Sequence, residues 1–570
     1  MELFMYIWRV NTRNQTLDIE PVPKTWVHLG GRGLIPRILL DEVPETCDPL
    51  GKNNKIIFAP GLLVGHMLSS CDRISVGGKS PLTRGVKESN AGGRTGLHLA
   101  RLGIKALILE DQPNVDSWDV LYLNKEGVRF DKGDHLHGLG VYETARILLD
   151  TYGKKVAISM IGPGGEVGYA SAGILNLDKD AVPSRINARG GLGALMGSKK
   201  LKAIVIDDSG GTKPPIAHVD RFRQAQKAFN DALMAHPQIK AYAEYGTAGM
   251  TRMSNGFGGL PTRNFSSGCF EGAEKISGEY MRQLLINRAG ESNTTHACMA
   301  GCTIQCSNVF GGEEGQSIVS PLEYETIGLL GANLGLDDLD VIAQLNWEAN
   351  DLGLDSIEIG AALGLACEAG LMEFGDGTHA LELLNEIRIG SVLGRLLGQG
   401  AQITGRVLGL RRIPTVKGQA ISAYDPRAIK GTGVTYATSP QGADHTCGLT
   451  IRAKVDHLDP SGQAQLSRKA QTSNAGYDSL GACIFAGFGF GGKPETIPEL
   501  LNARYDWQVG KDILNSLGRE CLILEREFNQ KAGFTTADDR LPEWMLTEQL
   551  PPHNAVFDVS DEDLDGVFRW

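Results

Sequence analysis

Three cysteines stand within nine residues, Cys298, Cys302 and Cys306 in HACMAGCTIQC, and a fourth, Cys483, closes the remote string DSLGAC. Four thiolates gathered from one local group and one distant position suit a four-iron iron-sulfur cluster, because each iron takes one sulfur from the protein. The plain alternative is that the ten cysteines are small buried hydrophobes, since an unligated cysteine packs like one. For any single cysteine that is the better account; the close spacing of three weighs against it. On an unbroken helix Cys298 and Cys306 would lie about 12 Å apart along the axis, so the segment around Gly301 is predicted to bend if all three are ligands.

A second group of residues could hold an anion. Glycine makes up 73 of 570 residues and is clustered: GGRG at 30–33, SNAGGRTG at 89–96 and ARGGLGALMGSKKLKA at 188–203. Glycine lets the backbone approach a phosphate and aim successive N–H groups at it. Each cluster alone reads more simply as a sharp turn between strands. The basic neighbours Arg32, Arg94 and Arg189 shift the reading towards an anionic cofactor. Two familiar phosphate motifs fail. GPGGEVG at 162–168 has GxGxxxG spacing and runs into YASAGILNLD, a predicted strand, where a dinucleotide fingerprint needs a helix. GALMGSKK puts Ser198 before Lys199, the reverse of a P-loop.

The elements that must position these residues change along the chain. Residues 1–210 read as β-rich: KIIFAP, RISVGG, KALILED, KVAISMIG and LKAIVIDD are short apolar runs ending in Gly, Pro or Asp. DDSGGTKPP marks a boundary. Beyond it VDRFRQAQKAFNDALMA, DDLDVIAQLNWEANDLG and DSIEIGAALGLACEAGL show apolar residues three and four apart, as helices do. A further change near RRIPTVKGQAISAYDPRAIKG divides the remainder into 211–415 and 416–570. The expected fold is α+β, a β-rich N-terminal domain followed by two mainly helical ones.

At 570 residues and 42% hydrophobic, the chain can bury a large core. A net charge of −11 and 6% aromatic residues argue against a nucleic-acid partner. No apolar run approaches the about 18 residues of a membrane span. The N-terminal stretch carries Glu2 and Arg9, which does not suit a signal peptide. A reducing, cytoplasmic location is therefore expected, where thiols serve more often as metal ligands than as disulfides.

Read together, LGGRGL, RISVGGKSPLTRGVKESNAGG, ARGGLGALMGSKKLKAI, LPTRNFSSGCFEGAEKISGE, PLEYET, NDLGLD, YATSPQGADH and DSLGAC resemble the tungsten-containing aldehyde:ferredoxin oxidoreductase family, in order from about residue 8 to about 490. The resemblance implies a β base carrying tungsten, or molybdenum, between two pyranopterin dithiolenes, with a [4Fe-4S] cluster close by and helical domains covering both. Such a cofactor brings its own sulfur ligands to the metal, so the protein positions and tunes it. By position, Arg73 resembles the arginine between cluster and pterin. Asn90 and Gly190 resemble residues whose carbonyls help hold a Mg2+ ion bridging the pterin phosphates, with Gly92, Arg189 and Gly191 in the same loops. Taken alone, Arg73 and Arg189 would be surface arginines.

The family's pterin-binding strings correspond here to Asn350, Leu354 and Asp355 in NDLGLD and to Asp478, Ala482 and Cys483 in DSLGAC. Asn350 stands where aspartate is usual and keeps an acceptor without the charge. The spacing Cys298 to Cys302 is C-x3-C where the family usually has C-x2-C. Gln344 stands where members with an iron between subunits carry a glutamate, so a bridging iron is not expected; a homo- or hetero-oligomer remains open.

Glu325 in EYET and His445 in GADH match the family's acid–base residues, with Tyr324 beside the first. Glu325 would take a proton from the attacking water, and His445 would hydrogen-bond the carbonyl oxygen or relay a proton. In isolation they read as a surface carboxylate and a loop histidine. The implied activity is oxidation of a small aldehyde to a carboxylic acid, with electrons passed to ferredoxin or an iron-sulfur partner subunit. Three rivals stand beside it: a relative with a non-aldehyde substrate, such as an aromatic-ring reductase subunit; a non-catalytic iron-sulfur electron-transfer subunit; and a radical enzyme using S-adenosylmethionine, whose C-x3-C-x2-C is not matched.

Overall fold

A computed structural model describes residues 5–570; Glu2 lies outside them. Two six-stranded sheets form the N-terminal part. The first runs, edge to edge, Thr16–Pro21, Tyr6–Asn11, Ile104–Glu110, Ile56–Pro60, Ile74–Lys79, Val86–Ala91; the second runs Pro183–Asn187, Ile174–Leu177, Ala157–Met160, Leu201–Ile206, Asp119–Asn124, Gly127–Lys132. Side chains alternate across a strand. Thus Ile56 and Phe58 enter the core between the sheets with Leu121 and Ile204, while Ile57 and Ala59 enter a core under the helix Gly31–Glu42. The outer face of the second sheet is covered by Val141–Tyr152. Burial on both faces explains why these strands read as continuous apolar runs.

The remainder is mainly helical, and the fold is α+β as expected. Val219–Ala235 buries Phe222, Ala225, Phe229 and Leu233, one stripe at helical spacing. The core around Leu330, Leu363 and Val434 is continuous from the helices before residue 415 to Phe557 near the end of the chain. The two helical parts therefore share one interior. The helices Gln463–Leu480 and Ile513–Lys531 return to the β part and pack on Gly31–Glu42.

Gly30–Gly33 differs from the turn expected of it: Gly31 to Gly33 form the first turn of a helix that contains Pro36. Around Gly301 the chain does bend. It leaves the strand Asn293–His296, turns through Gly301 (φ +77°) and Gln305 (φ +54°), and re-enters a strand at Ser307.

Candidate functional site

The strings NDLGLD and DSLGAC fold alike. Each ends a helix, Leu339–Leu352 or Gln463–Leu480, with a left-handed glycine, Gly353 (φ +73°) or Gly481 (φ +76°). That conformation satisfies the last carbonyls and is open to glycine without strain. Two residues later the chain delivers a functional side chain, Asp355 or Cys483. Asp355 caps the helix Ser356–Glu368 through Oδ1, which accepts from the Ile357 N–H at 3.1 Å. Its Oδ2 is buried without a hydrogen-bond partner, 3.5 Å from Arg189 Nε, itself unpartnered.

DSLGAC lies directly on the β part. The Cys483 N–H donates to the Ser70 carbonyl at 2.7 Å and the Arg73 N–H to that of Gly481 at 3.1 Å. The backbones are so close that a Cβ on Gly61 would stand 2.0 Å from the nitrogen of Gly481. Arg73 leans back on Asn90, donating to its side-chain oxygen and, at 2.7 Å, to its carbonyl.

The thiols gather around this junction. Cys302 Sγ is 3.3 Å from Ser70 Oγ, and a Cβ on Gly92 would meet Cys298 Sγ at 3.0 Å. Cys306 pairs through its backbone with His296. All four are free cysteines. Burial opposes the charge on Arg73, but the sulfurs of Cys483, Cys298 and Cys306 around it raise its pKa. A hydrogen bond from Cys298 pulls the Cys302 thiol down to about 5, while burial pushes Cys306 and Cys483 up. Among the described residues no three His, Cys, Asp or Glu side chains converge on one point as a single ion would require. Three thiols from one bent segment and a fourth from a distant turn suit a multi-iron group, whose ligands sit on separate irons.

A cavity of ≈170 Å³ opens beside the thiols, lined among others by Arg73, Asn90, Arg189, His445, Asp478 and Cys483. Six expected site residues, distant in sequence, thus face one space. His445 Nε2 is 3.4 Å from Glu325 Oε1, which is buried and has no hydrogen-bond partner, while Glu325 Oε2 accepts from the Ala423 N–H at 2.8 Å. Burial raises the Glu325 pKa against the opposing pull of His445 and Arg189. Ser422 Oγ accepts from Arg189 at 2.6 Å and lies 3.2 Å from His445 Nδ1. If Ser422 gives its own proton to Nδ1, the neutral imidazole carries its proton on Nε2, facing Glu325.

Other expected residues play quieter parts. The Tyr324 hydroxyl donates to the Ala423 carbonyl, and its ring packs against Tyr424, walling the site. Leu354 is core, Ala482 backs the turn by donating to the Tyr477 carbonyl, and Asn350 accepts the Gly353 N–H through its backbone carbonyl. None of these three lines the cavity. Gly190 and Gly191 shape the loop in left-handed conformations, and the Gly190 carbonyl accepts from Ser80 Oγ at 2.7 Å. The carbonyls of Asn90 and Gly190 each keep a second lone pair for a cation.

Two of the three arginines beside the glycine clusters do not reach the cavity. Arg94 donates to the carbonyls of Lys154, Val156 and Lys179. Arg32 is buried between Glu525 and Asp478. Several residues have no counterpart in the sequence reading. Asp444 receives Lys87 Nζ at 2.7 Å, and although burial acts against it, Lys87 and Arg189 hold its pKa far down. Glu88 is buried near Asp478 with one oxygen unpartnered.

The donor set fits the groups that the resemblance implies: thiols for iron, arginines and glycine loops for phosphates, and at the cavity's Arg189 an unpartnered Nε beside the unpartnered Asp355 Oδ2. The cavity is below the about 300–1,000 Å³ of ordinary ligand pockets, so the fit rests on the donor set and not on the volume.

Comparison with known proteins identifies relatives. The family model for the N-terminal domain of aldehyde ferredoxin oxidoreductase matches residues 7–208, and that for its domains 2 and 3 matches 224–568. A tungsten-containing aldehyde ferredoxin oxidoreductase of Thermococcus kodakarensis is 33% identical over 559 residues, 93% of this chain and 89% of that protein. A Pyrococcus furiosus protein described as the WOR-like subunit of an aliphatic sulfonate oxidoreductase is 26% identical, covering 87% of this chain and 81% of its own length. The fold is also that of the active-site complex BamBC of benzoyl coenzyme A reductase, solved with 1,5-dienoyl-CoA. The TM-score is 0.81 at 18% identity, over 100% of this chain and 94% of that one.

Proposed function

This chain belongs to the aldehyde ferredoxin oxidoreductase family, and on that premise we propose that it oxidises a small aldehyde to the carboxylic acid, taking the oxygen from water. The balance is one aldehyde and one water giving one acid, two protons and two electrons. A tungsten bis-pyranopterin, once bound, would supply a two-electron acceptor, and a [4Fe-4S] cluster a one-electron carrier towards ferredoxin or an iron-sulfur partner subunit.

The chain's own residues hold and move the protons. Glu325 Oε1, buried and unpartnered 3.4 Å from His445 Nε2, carries the reading. Its raised pKa makes it a stronger base than an ordinary carboxylate. His445, in the tautomer compatible with Ser422, offers Nε2–H to the aldehyde oxygen. Tyr324, bonded to the Ala423 carbonyl and packed on Tyr424, fixes the segment whose Ala423 N–H holds Glu325 Oε2. Cys298, Cys302, Cys306 and Cys483 would hold the cluster, and Arg73, which the three sulfurs of Cys483, Cys298 and Cys306 surround, would stand beside it. Asp478 and Asp355 would accept from the pterins, Arg189 and the glycine loops would hold the phosphates, and Asn90 and Gly190 would help hold a Mg2+ ion. The division at residues 210 and 415 and a cytoplasmic setting belong to the same reading; among the described residues no helix is long and apolar enough to cross a membrane.

The test is Glu325→Gln, assayed by anaerobic dye reduction over a panel of aldehydes. Turnover should fall by about 10²–10⁴-fold with tungsten and iron content unchanged; an unchanged rate rules Glu325 out as the base. A metal-loaded wild type inert towards every aldehyde favours a non-aldehyde substrate, the reading to which the sulfonate-linked relative points.

A further inference from the structure

We propose that Glu525, on the helix Ile513–Lys531, is a positioning residue that ties the two halves of the site together. This rests on the function proposed above. Glu525 is completely buried and holds Arg32 by two bonds, Arg32 Nε to Oε1 at 2.8 Å and Arg32 NH2 to Oε2 at 2.9 Å. The remaining nitrogen of Arg32, NH1, reaches Asp478 Oδ2 at 3.3 Å. Towards the thiol side, then, Glu525 sets Arg32 and Arg32 sets the carboxylate that lines the cavity.

The same carboxylate works in the other direction. Gln441 Nε2 donates to Glu525 Oε1 at 2.8 Å, and its Oε1 accepts from Lys87 Nζ at 3.0 Å. Lys87 Nζ donates at 2.7 Å to Oδ2 of Asp444. Asp444 Oδ1 accepts from the Thr446 N–H and hydroxyl at 3.0 and 2.8 Å, fixing the turn that carries His445. Every link between the two ends, Asp478 and Thr446, is buried. In such surroundings a bonded chain of charges has few alternative arrangements. It joins Asp478 at one end to His445 at the other through three separate parts of the fold: the β part gives Arg32 and Lys87, the loop after the helix Lys430–Thr438 gives Gln441, and the C-terminal helix gives Glu525.

A plain buried strut would stabilise the fold and nothing more, and the chemistry differs from that. A lone Arg–Glu pair needs neither the amide of Gln441 nor the lysine beyond it. Gln441 is the element that makes two ion pairs one network: its amide has one donating and one accepting end, and it presents the donor to Glu525 and the acceptor to Lys87.

The test uses full-length protein purified anaerobically. Glu525→Gln should lower kcat per bound tungsten by about 10–100-fold, the range typical of residues that orient a metal site from behind, and change the electron paramagnetic resonance signature of the metal centre. Gln441→Leu cuts the bridge while leaving the Arg32–Glu525 pair intact, and keeps the question answerable if Glu525→Gln does not fold. It should leave metal content and KM within about twofold and lower kcat by at least about 10-fold. A lower melting temperature with unchanged kcat per metal and unchanged spectrum, in whichever variant folds, overturns the proposal and leaves a structural strut. Wild-type protein without tungsten or molybdenum would instead sink the parent reading.

Discussion

NDLGLD and DSLGAC are the same turn with different contents. Both end a helix on a left-handed glycine and both place a functional residue two positions later, yet one delivers the carboxylate of Asp355 and the other the thiol of Cys483. Three residues before the glycine stand Asn350 and Asp478. Asp478 lines the cavity and meets Arg32, whereas Asn350 does neither. The first turn is locked from within, since Asp355 caps the next helix and faces Arg189. The second is locked by backbone bonds to Ser70 and Arg73, and its thiol is held in no disulfide. One turn presents a carboxylate that the fold itself engages; the other presents a thiol left free of any disulfide.

That contrast breaks most sharply at Cys483. Replacing it by alanine should remove a cluster ligand, abolish dye reduction and leave substoichiometric iron, with faster hydrogen exchange over residues 297–306 and unchanged exchange over 339–368. Equal loosening of both turns would show that they do not differ as described. Asp478→Asn comes next. Arg32 keeps Glu525, so the fold survives, and pterin and tungsten retention should drop by about 10–100-fold, measured as metal per chain after gel filtration.

At the other turn the effect should be smaller and lie in stability. Asp355→Ala removes a helix cap and should cost about 0.5–2 kcal/mol, whereas Asp355→Asn, itself a good cap, should cost only a few tenths; urea unfolding distinguishes them. If the two variants are equally unstable, the Arg189 contact rather than the cap holds that turn.

Glu88 provides the mildest test, beside DSLGAC. Burial, and then the neighbouring Asp478 charge, push its pKa up to about 8. A group bound more tightly to its proton in the folded state contributes stability that is fully present below its unfolded pKa, about 4.3, and lost as pH rises through about 8. Glu88→Gln should therefore melt like wild type at pH 4–5 and progressively higher than wild type towards pH 8. A constant difference across that range would place the titration elsewhere.

Much of this organisation was legible in the residues. The strands around Ile57 and Ile204 and the helix Val219–Ala235 follow from apolar runs and helical spacing, and the bend at Gly301 follows from the distance that three cysteines must close. The helix Gly31–Glu42 was hidden because Gly31, Gly33 and Pro36 oppose helix by propensity, and burial of Leu34, Ile35, Ile38 and Leu39 overrides them. The cavity residues His445, Asp478 and Cys483 could be recognised from short motifs. Glu525, Gln441 and Lys87 could not: Arg32 and Glu525 are 493 positions apart, and a charge pair at that separation leaves no spacing for a reader to find.

The central claim is that the two turns meet around a metal-pterin centre wired to an iron-sulfur cluster. It is tested most directly by metal and pterin analysis of protein purified anaerobically from a host able to make the cofactor. The account predicts about one tungsten, or molybdenum, and about four irons per chain, with pterin present. Iron without either heavier metal and without pterin would contradict it.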